Sequence, residues 1–348
     1  YRNLGAFLGD VIRADSQNEV TDNLRTIRNM EQRATGMSEG IPADGGWLVE
    51  KQFSDELMKL THDTGILAAR CRRIPIGANF NGLKMNAIDE TSRATGSRWG
   101  GIRGYWVAEA GTKTASQTKI RRMEIELAKL AGLFYLTDEL KNDQTALESI
   151  FTQGFAEEFA FLIDDAIYSG DGVGKPAGIL ESDALVSVAK EVGQSSDTFV
   201  AENAFAMWAR LWPRSMANAV WYINQSLYPE LFKMHLAVGT GGSPVYLPGG
   251  NIAGAPFGSL LGRPVQPIEQ ASALGDVGDC LLADLSQYVL IDKGGIESAV
   301  SIHVKFVEDE TAFRVVTRVN GQSMWASVLT PFKGSDTVSP FVTLAERA

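Results

Sequence analysis

The sequence predicts an α+β protein, and three observations carry that prediction. One long helical pattern stands at Thr145–Ser169, several short runs alternate apolar and polar residues with period 2, and Gly- and Pro-rich stretches separate them. With 45% hydrophobic and 21% charged residues in a chain of 348, the composition is that of a folded protein with material for two or three lobes. Forty-two acidic against thirty-two basic residues give a net charge of −10, which opposes any role that grips nucleic acid by neutralising phosphates. If the chain meets DNA, it does so by containment or weak local contact. There is no apolar run of transmembrane length and no signal-peptide order, so the expectation is a soluble protein made in a cytoplasm, with no membrane partner. The sequence opens on Tyr1 and not Met, which is read as trimming, by proteolytic maturation or by design.

Residues 1–46 begin with a short amphipathic face, Leu4, Phe7, Leu8, Val11 and Ile12, and then run polar; they read as an arm or linker. Within it, Gly36-Met37-Ser38-Glu39-Gly40 matches G-x-S-x-G in form, but no strand precedes it and Pro42, Gly45 and Gly46 deny it a following helix. From Trp47 the chain becomes compact, with a helix expected around Phe53–Leu60 and strand-like segments over Ile66–Ile76. Residues 79–119 turn Gly-rich, polar and aromatic, too long for an ordinary connection. Leu83, Met85 and Ala87 alternate on the way out, and Met123, Ile125 and Leu127 on the way back, so the segment predicts a long two-stranded excursion. An isolated hairpin is marginal in water. Trp99, Tyr105 and Trp106, set among Arg93, Arg98 and Arg103, therefore need a surface to pack on, either their own domain or a partner.

The long helix opens on the capping box Thr145-Ala146-Leu147-Glu148 and carries Leu147, Ile150, Phe151, Phe155, Phe159, Leu162, Ile163 and Ala166 at helical spacing. Gln153, Glu157, Glu158, Asp164 and Asp165 are expected on its solvated face. At 1.5 Å per residue it makes a rod of roughly 37 Å. The stretch SGDGVGKPAGIL follows. It resembles a phosphate loop only at first sight, because Ser169 and Pro176 stand where a P-loop needs Gly and Ser/Thr, and a helix precedes it where a strand is required. It reads as a structural turn: Gly170 as a left-handed helix terminus, Gly172 and Gly174 permitting positive φ, and Pro176 forbidding helix resumption. A second helical pattern covers Thr198–Asn218, broken at Pro213, followed by the strand AVWYIN and a short helix near Leu227–Met234. LLADLSQYVLID reads as a buried strand pair, and FVEDETAFRVVTRVNGQSMWASVLTPF as a hairpin turning at Asn320-Gly321.

Convergent catalytic chemistry is missing. Cys71 and Cys280 are too few for a disulfide framework, and His62, His235 and His303 show no ligand-spaced pair. No catalytic, cofactor-binding or metal-binding residue is assigned, no cofactor is called for, and the chain is not read as an enzyme.

The segments GGWLVEKQFSDEL, YWVAEAG, MEIELAKLAGLFYLTDEL, AIYSGDGVGKPAGIL, NAVWYINQSLYPEL, LLGRPVQPIEQ, LADLSQYVLIDKGG and FVEDETAFRVVTRVNG, in this order, resemble the major capsid proteins of tailed double-stranded-DNA bacteriophages with the Hong Kong 97 capsid fold. The resemblance spans about Gly45 to Leu344. It implies an N-terminal arm (1–46), a peripheral domain in three parts (47–76, 131–198 and 305–348) with a spine helix at 145–169, an extended loop (77–130) and an axial domain (199–304). It further implies self-assembly into pentamers and hexamers of an icosahedral shell around packaged DNA, in a virion assembled in the host cytoplasm. The implied partners are further copies of the chain, a portal, and decoration, scaffold or protease proteins. The loop residues Trp99, Tyr105, Trp106, Arg98 and Arg103 then become the assembly interface, and Gly170, Gly172, Gly174 and Pro176 the structural turn. Lys84, Lys113 and Lys119 lie in or beside the loop, where some family members form covalent cross-links, but no catalytic glutamate or acceptor asparagine aligns. Two alternatives stay open: the shell of an encapsulin-type nanocompartment, and an α+β enzyme with its site in the 236–279 loops.

Overall fold

The computed structural model describes residues 47–48, 65–77, 79–109, 111–137, 144–238, 241–244, 258–294, 297–305 and 310–347. The arm, Ser38, the helix expected near Phe53–Leu60 and His62 lie outside these residues. Strands β1 (Trp47–Leu48), β2 (Arg72–Pro75), β3 (Gly82–Ile88), β4 (Ile120–Glu126) and β5 (Ala128–Thr137) precede helix α1 (Gln144–Ser169). After it come β6 (Leu185–Val188), α2 (Ala201–Arg210), β7 (Val220–Ile223), α3 (Tyr228–Lys233), β8 (His235–Val238), β9 (Gly241–Pro244), β10 (Ser259–Leu260) and β11 (Arg263–Pro267). The last strands are β12 (Cys280–Ala283), β13 (Tyr288–Asp292), β14 (Glu297–Lys305), β15 (Glu310–Ser323) and β16 (Phe341–Leu344).

Two six-stranded sheets organise these elements. One runs β1-β14-β15-β13-β2, with β5 also paired to β15; the other runs β10-β11-β7-β12-β16-β6. Each sheet gathers strands from distant parts of the chain. Leu185–Val188 and Phe341–Leu344 join the sheet built around β7 and β12, whereas Tyr288–Asp292 and Glu297–Lys305 join the other. LLADLSQYVLID is buried as expected, but its two strands do not pair with each other: β12 lies between β7 and β16, and β13 between β15 and β2.

The Asn320-Gly321 turn is corrected. Both residues sit inside the continuous strand β15, opposite Ile291 and Leu290. The glycine is there because the Tyr288 ring crosses it: a Cβ at Gly321 would stand 2.6 Å from Tyr288 Cε1 and 2.8 Å from the Val289 carbonyl oxygen. The hairpin of this region is β14–β15, closed at Lys305 and Glu310.

Helix α1 lies against β5 and β15. Phe134 of β5 stacks on Phe313 at 4.9 Å and meets Phe155 at 5.1 Å, and Gly132 leaves room for the Phe155 ring. Two of the side chains assigned to its faces are reversed. Leu162 is partly exposed, and Asp164 is buried. Asp164 is the acceptor for three backbone N–H groups at the entrance to the 3₁₀ turn Ala68–Arg70: Ile66 at 2.7 Å, Leu67 at 3.1 Å and Ala68 at 2.8 Å. Helical spacing cannot report this, because the partners come from a segment almost a hundred residues earlier. Burial pushes the Asp164 carboxyl up, opposed by those three N–H groups. The folded chain thus holds this proton more tightly than the unfolded chain, and the residue's contribution to stability falls as pH rises through the window above 3.8.

The glycine turn reverses the chain at the end of α1. Ile179 N–H donates to the Ile167 carbonyl at 2.9 Å, Leu180 N–H to Tyr168 at 3.1 Å and Gly178 N–H to Gly170 at 2.7 Å, so the returning strand satisfies the terminal carbonyls of the helix. Gly172 (φ 75°) and Gly174 (φ 70°) are left-handed; Gly170 is not. What Gly170 supplies is close approach, since a Cβ there would collide with the carbonyl oxygens of Pro176 and Ala166.

Two outcomes follow for the free subunit. Asp164→Ala strands three backbone N–H groups, two of them buried, and should lower stability by about 3 kcal/mol, read as a shift of the urea midpoint; an unchanged midpoint contradicts the assigned role. Gly170→Ala should cost about 3 kcal/mol through steric collision. Gly174→Ala, with open space at its Cβ, should cost only about 1 kcal/mol for its left-handed backbone. Equal losses in the two glycine variants would contradict the distinction between close approach and positive φ.

Candidate assembly interface

The excursion read from residues 77–130 is a two-stranded ribbon. β3 and β4 pair antiparallel with Leu83 opposite Ile125 and Met85 opposite Met123. The alternation places Met123 and Ile125 in a core with Ile76, Val289 and Ile291, so the root of the ribbon is packed on β13. Asn320 Nδ2 donates to the Glu126 carbonyl, and Arg121 Nη2 donates to the Met324 carbonyl at 2.6 Å. Lys84 pairs with Glu124 across the ribbon.

Beyond the ribbon the outgoing chain is tied to the C-terminal segment. Arg93 N–H donates to the Thr330 carbonyl at 2.8 Å and Thr330 N–H to Thr91 at 3.0 Å. Arg93 grips Glu90 through two bonds, at 2.7 and 3.0 Å. This guanidinium holds the Glu90 carboxyl below its ordinary value. The chain then makes a tight reversal at Arg98–Ile102 through three consecutive positive φ values, Trp99 at 53°, Gly100 at 70° and Gly101 at 135°. Neither glycine has room for a side chain, because the Lys119 and Gln117 carbonyls of the returning strand press against them.

That geometry presents the aromatic residues outward. Trp99 is 58% exposed, Tyr105 44%, and Trp106 fully exposed. The Arg103 guanidinium lies over the Tyr105 ring at 5.1 Å, and Arg103 N–H donates to Ser116 Oγ at 3.2 Å. The chain's own core therefore does not cover these rings. Trp99 also walls a cavity at the ribbon's root together with Trp212 and Trp325, residues that the sequence pattern did not single out. Each lies in a segment whose local pattern says nothing of the other, and only their convergence marks them.

The glycine turn holds no phosphate-loop geometry: Lys175 Nζ faces Asp171 Oδ1 at 3.7 Å, both half-exposed. Among the described residues no cluster of His, Cys, Asp and Glu could hold a metal ion, and no helix is long and apolar enough to cross a membrane.

Comparison with known proteins agrees with this architecture. The model of the phage capsid family matches residues 45–330. The structure is similar to the capsid of a native GTA particle, with 17% identity, a TM-score of 0.60 and coverage of 90% of this chain and 95% of that one. It is also similar to structures of Microbacterium phage Oxtober96 (14% identity, TM-score 0.56, 91% and 97% coverage) and Mycobacterium phage Cain (13%, 0.53, 90% and 95%). No curated protein matches the chain in sequence. A ribbon rooted on one sheet, a long helix beside it and a second sheet of mixed strands thus occur together in a chain matched over most of its length, which belongs to the phage capsid family and is a shell-forming major capsid protein.

Proposed function

We propose that this chain assembles through pentamers and hexamers into a closed icosahedral shell that encloses packaged double-stranded DNA, in a virion built in the host cytoplasm. The observation that carries the reading is the extended ribbon, which spends its apolar root on its own core and leaves Trp99, Tyr105 and Trp106 in water. A chain gains nothing from exposed tryptophans alone; in a shell each ring is covered by a neighbour. Family membership favours the phage shell over the nanocompartment and over an enzyme. The net charge of −10 fits a container filled by force, in which the wall does not bind its contents tightly. The remaining partners proposed are a portal and decoration, scaffold or maturation proteins. The peripheral and axial domains are proposed to follow the two sheets, with strands 185–188 and 341–344 on the axial side.

Three outcomes test this. Expressed with whatever upstream segment or scaffold it requires, the protein should form capsomers or closed particles by light scattering; a folded chain that stays monomeric under every assembly condition refutes the shell. In Trp99→Ala with Trp106→Ala, each lost anchor removes roughly 2–4 kcal/mol of contact energy, so sedimenting particles should vanish while the melt of the free subunit is nearly unchanged. Unfolding of that subunit would assign the rings to its own core. Finally, Lys175→Ala should leave nucleotide behaviour unaltered, and ATP binding that disappears in this variant would restore the phosphate-loop reading.

A further inference from the structure

The cavity at the root of the ribbon is shaped and charged for an aromatic residue that its own chain does not place there. Its volume is about 360 Å³, and Met85, Met123, Met324, Trp99, Trp212 and Trp325 form its apolar walls. Thioethers adapt to a ring's outline and contact it favourably. Trp212 and Trp325 meet edge to face at 5.0 Å, and Trp325 Nε1 donates to Gln287 Oε1 at 3.2 Å, so this wall is held in place before anything binds. The charged lining is mixed but net positive, with Arg93, Arg98 and Arg214 against Asp89 and Glu90. Arg93 is engaged by Glu90, whereas Arg98 and Arg214 form no ion pair among the described residues, and the Arg214 guanidinium lies 5.8 Å from the Trp212 ring centroid.

The complementary feature lies further along the same loop. Trp106 is fully exposed and has no ring contact or hydrogen bond among the described residues. Val107, beside it, is 48% exposed, and Glu109 is an exposed carboxylate three residues on with no ion pair among the described residues. An indole followed by a carboxylate matches an aromatic cavity rimmed by two arginines, in shape and in sign. Resting on the reading that the loop crosses to a neighbouring subunit, we propose that Trp106 of one copy inserts into the ribbon-root cavity of the next, where Glu109 meets Arg98 and Arg214. Ligand and receptor are different surfaces of the same chain, so the contact is head-to-tail. Repeated at a constant rotation, a head-to-tail contact closes into a ring, which is the form of a capsomer. Trp99 and Arg98 then act on the receiving side and Trp106 on the inserting side, which divides the loop's aromatic set into two roles.

The test keeps Trp106 and uses two chains with one added cysteine each, Val107→Cys and Ser327→Cys, assembled together and oxidised; Val107 stands beside Trp106 and Ser327 lines the cavity. Native Cys280 is buried and Cys71 is largely covered, and each single variant assembled alone controls for them. A disulfide-linked dimer from the mixture, absent from either variant alone, is expected. In chains carrying both substitutions, a ladder ending at the capsomer is expected. Particles that form normally without any cross-link overturn the cavity assignment while leaving the shell intact; a native chain that never assembles overturns both. Charge exchange supplies a second readout. Glu109→Arg and Arg214→Glu should each raise the subunit concentration needed for assembly by about tenfold, and the two together in one chain should restore it. Failure of the double exchange to improve on either single variant speaks against the Glu109–arginine contact.

Discussion

The chain passes between the two sheets three times, from β5 to β6, from β12 to β13 and from β15 to β16, and the crossing that is itself buried in the core is the run Asp279–Asp292. Nearly all its side chains are inaccessible, and it contributes the strand between β7 and β16 and then the strand between β15 and β2. Each end is fastened by a buried carboxylate. Asp279 pairs with Arg347, both fully buried, and Asp292 pairs with Arg73 while accepting from the Gly294 N–H. At the crossing, Asp284 accepts from Ser286 N–H at 3.1 Å and Ser286 Oγ at 2.7 Å, so the one irregular step is satisfied locally. Removing one partner of a buried ion pair typically costs about 3–5 kcal/mol, because the other charge is left uncompensated. Arg347 also donates to the Thr198 carbonyl, so the end of the described chain is held by the same node.

From this run the rest of the architecture is positioned by contact. Tyr288, its first residue in the second sheet, lies over Gly321 and donates its hydroxyl to the Ala177 carbonyl at 2.8 Å, while Ala177 N–H donates to the Gly321 carbonyl at 2.9 Å. Three separate pieces of chain meet there: the turn after α1, the centre of β15 and the start of β13. Burial drives the Tyr288 phenol up, which keeps it a neutral donor at any ordinary pH. The next residues of β13, Val289 and Ile291, present the apolar surface on which the ribbon's root is laid. Thus the interior of the subunit decides where the loop begins its path away from it.

The division of charge follows function in the same way. The chain as a whole is acidic, which suits the proposed enclosure of DNA by a wall that does not adhere to it. In the loop and the cavity beside it, arginine lies next to tryptophan and methionine, residue types that make contact energy between proteins. In the proposed shell, stability within the subunit and cohesion between subunits draw on different parts of the molecule: two sheets and a helix for the first, a ribbon that its own core covers only at the root for the second.

The local features were legible without coordinates. Period 2 in Leu83, Met85 and Ala87 against Met123 and Ile125 specified the ribbon, helical spacing specified α1, and the glycines after it specified a reversal. The resemblance to the capsid family was visible for the same reason, since it resides in the order of such segments. What was misread involved partners distant in the chain. Asp164 looked like a solvated acid until the N–H groups of residues 66–68 reached it, and Asn320-Gly321 looked like a turn because nothing nearby reveals that a tyrosine ring lies over the glycine. The cavity of Trp99, Trp212 and Trp325 had no signal at all, its walls coming from three separate segments. The sequence by itself determined the long helix, the ribbon and the aromatic loop between its strands, because periodicity and turn chemistry act over a few residues. Only the tertiary structure decided which strands share a sheet, which polar groups are buried and what faces the loop, because these depend on contacts between segments far apart in the chain.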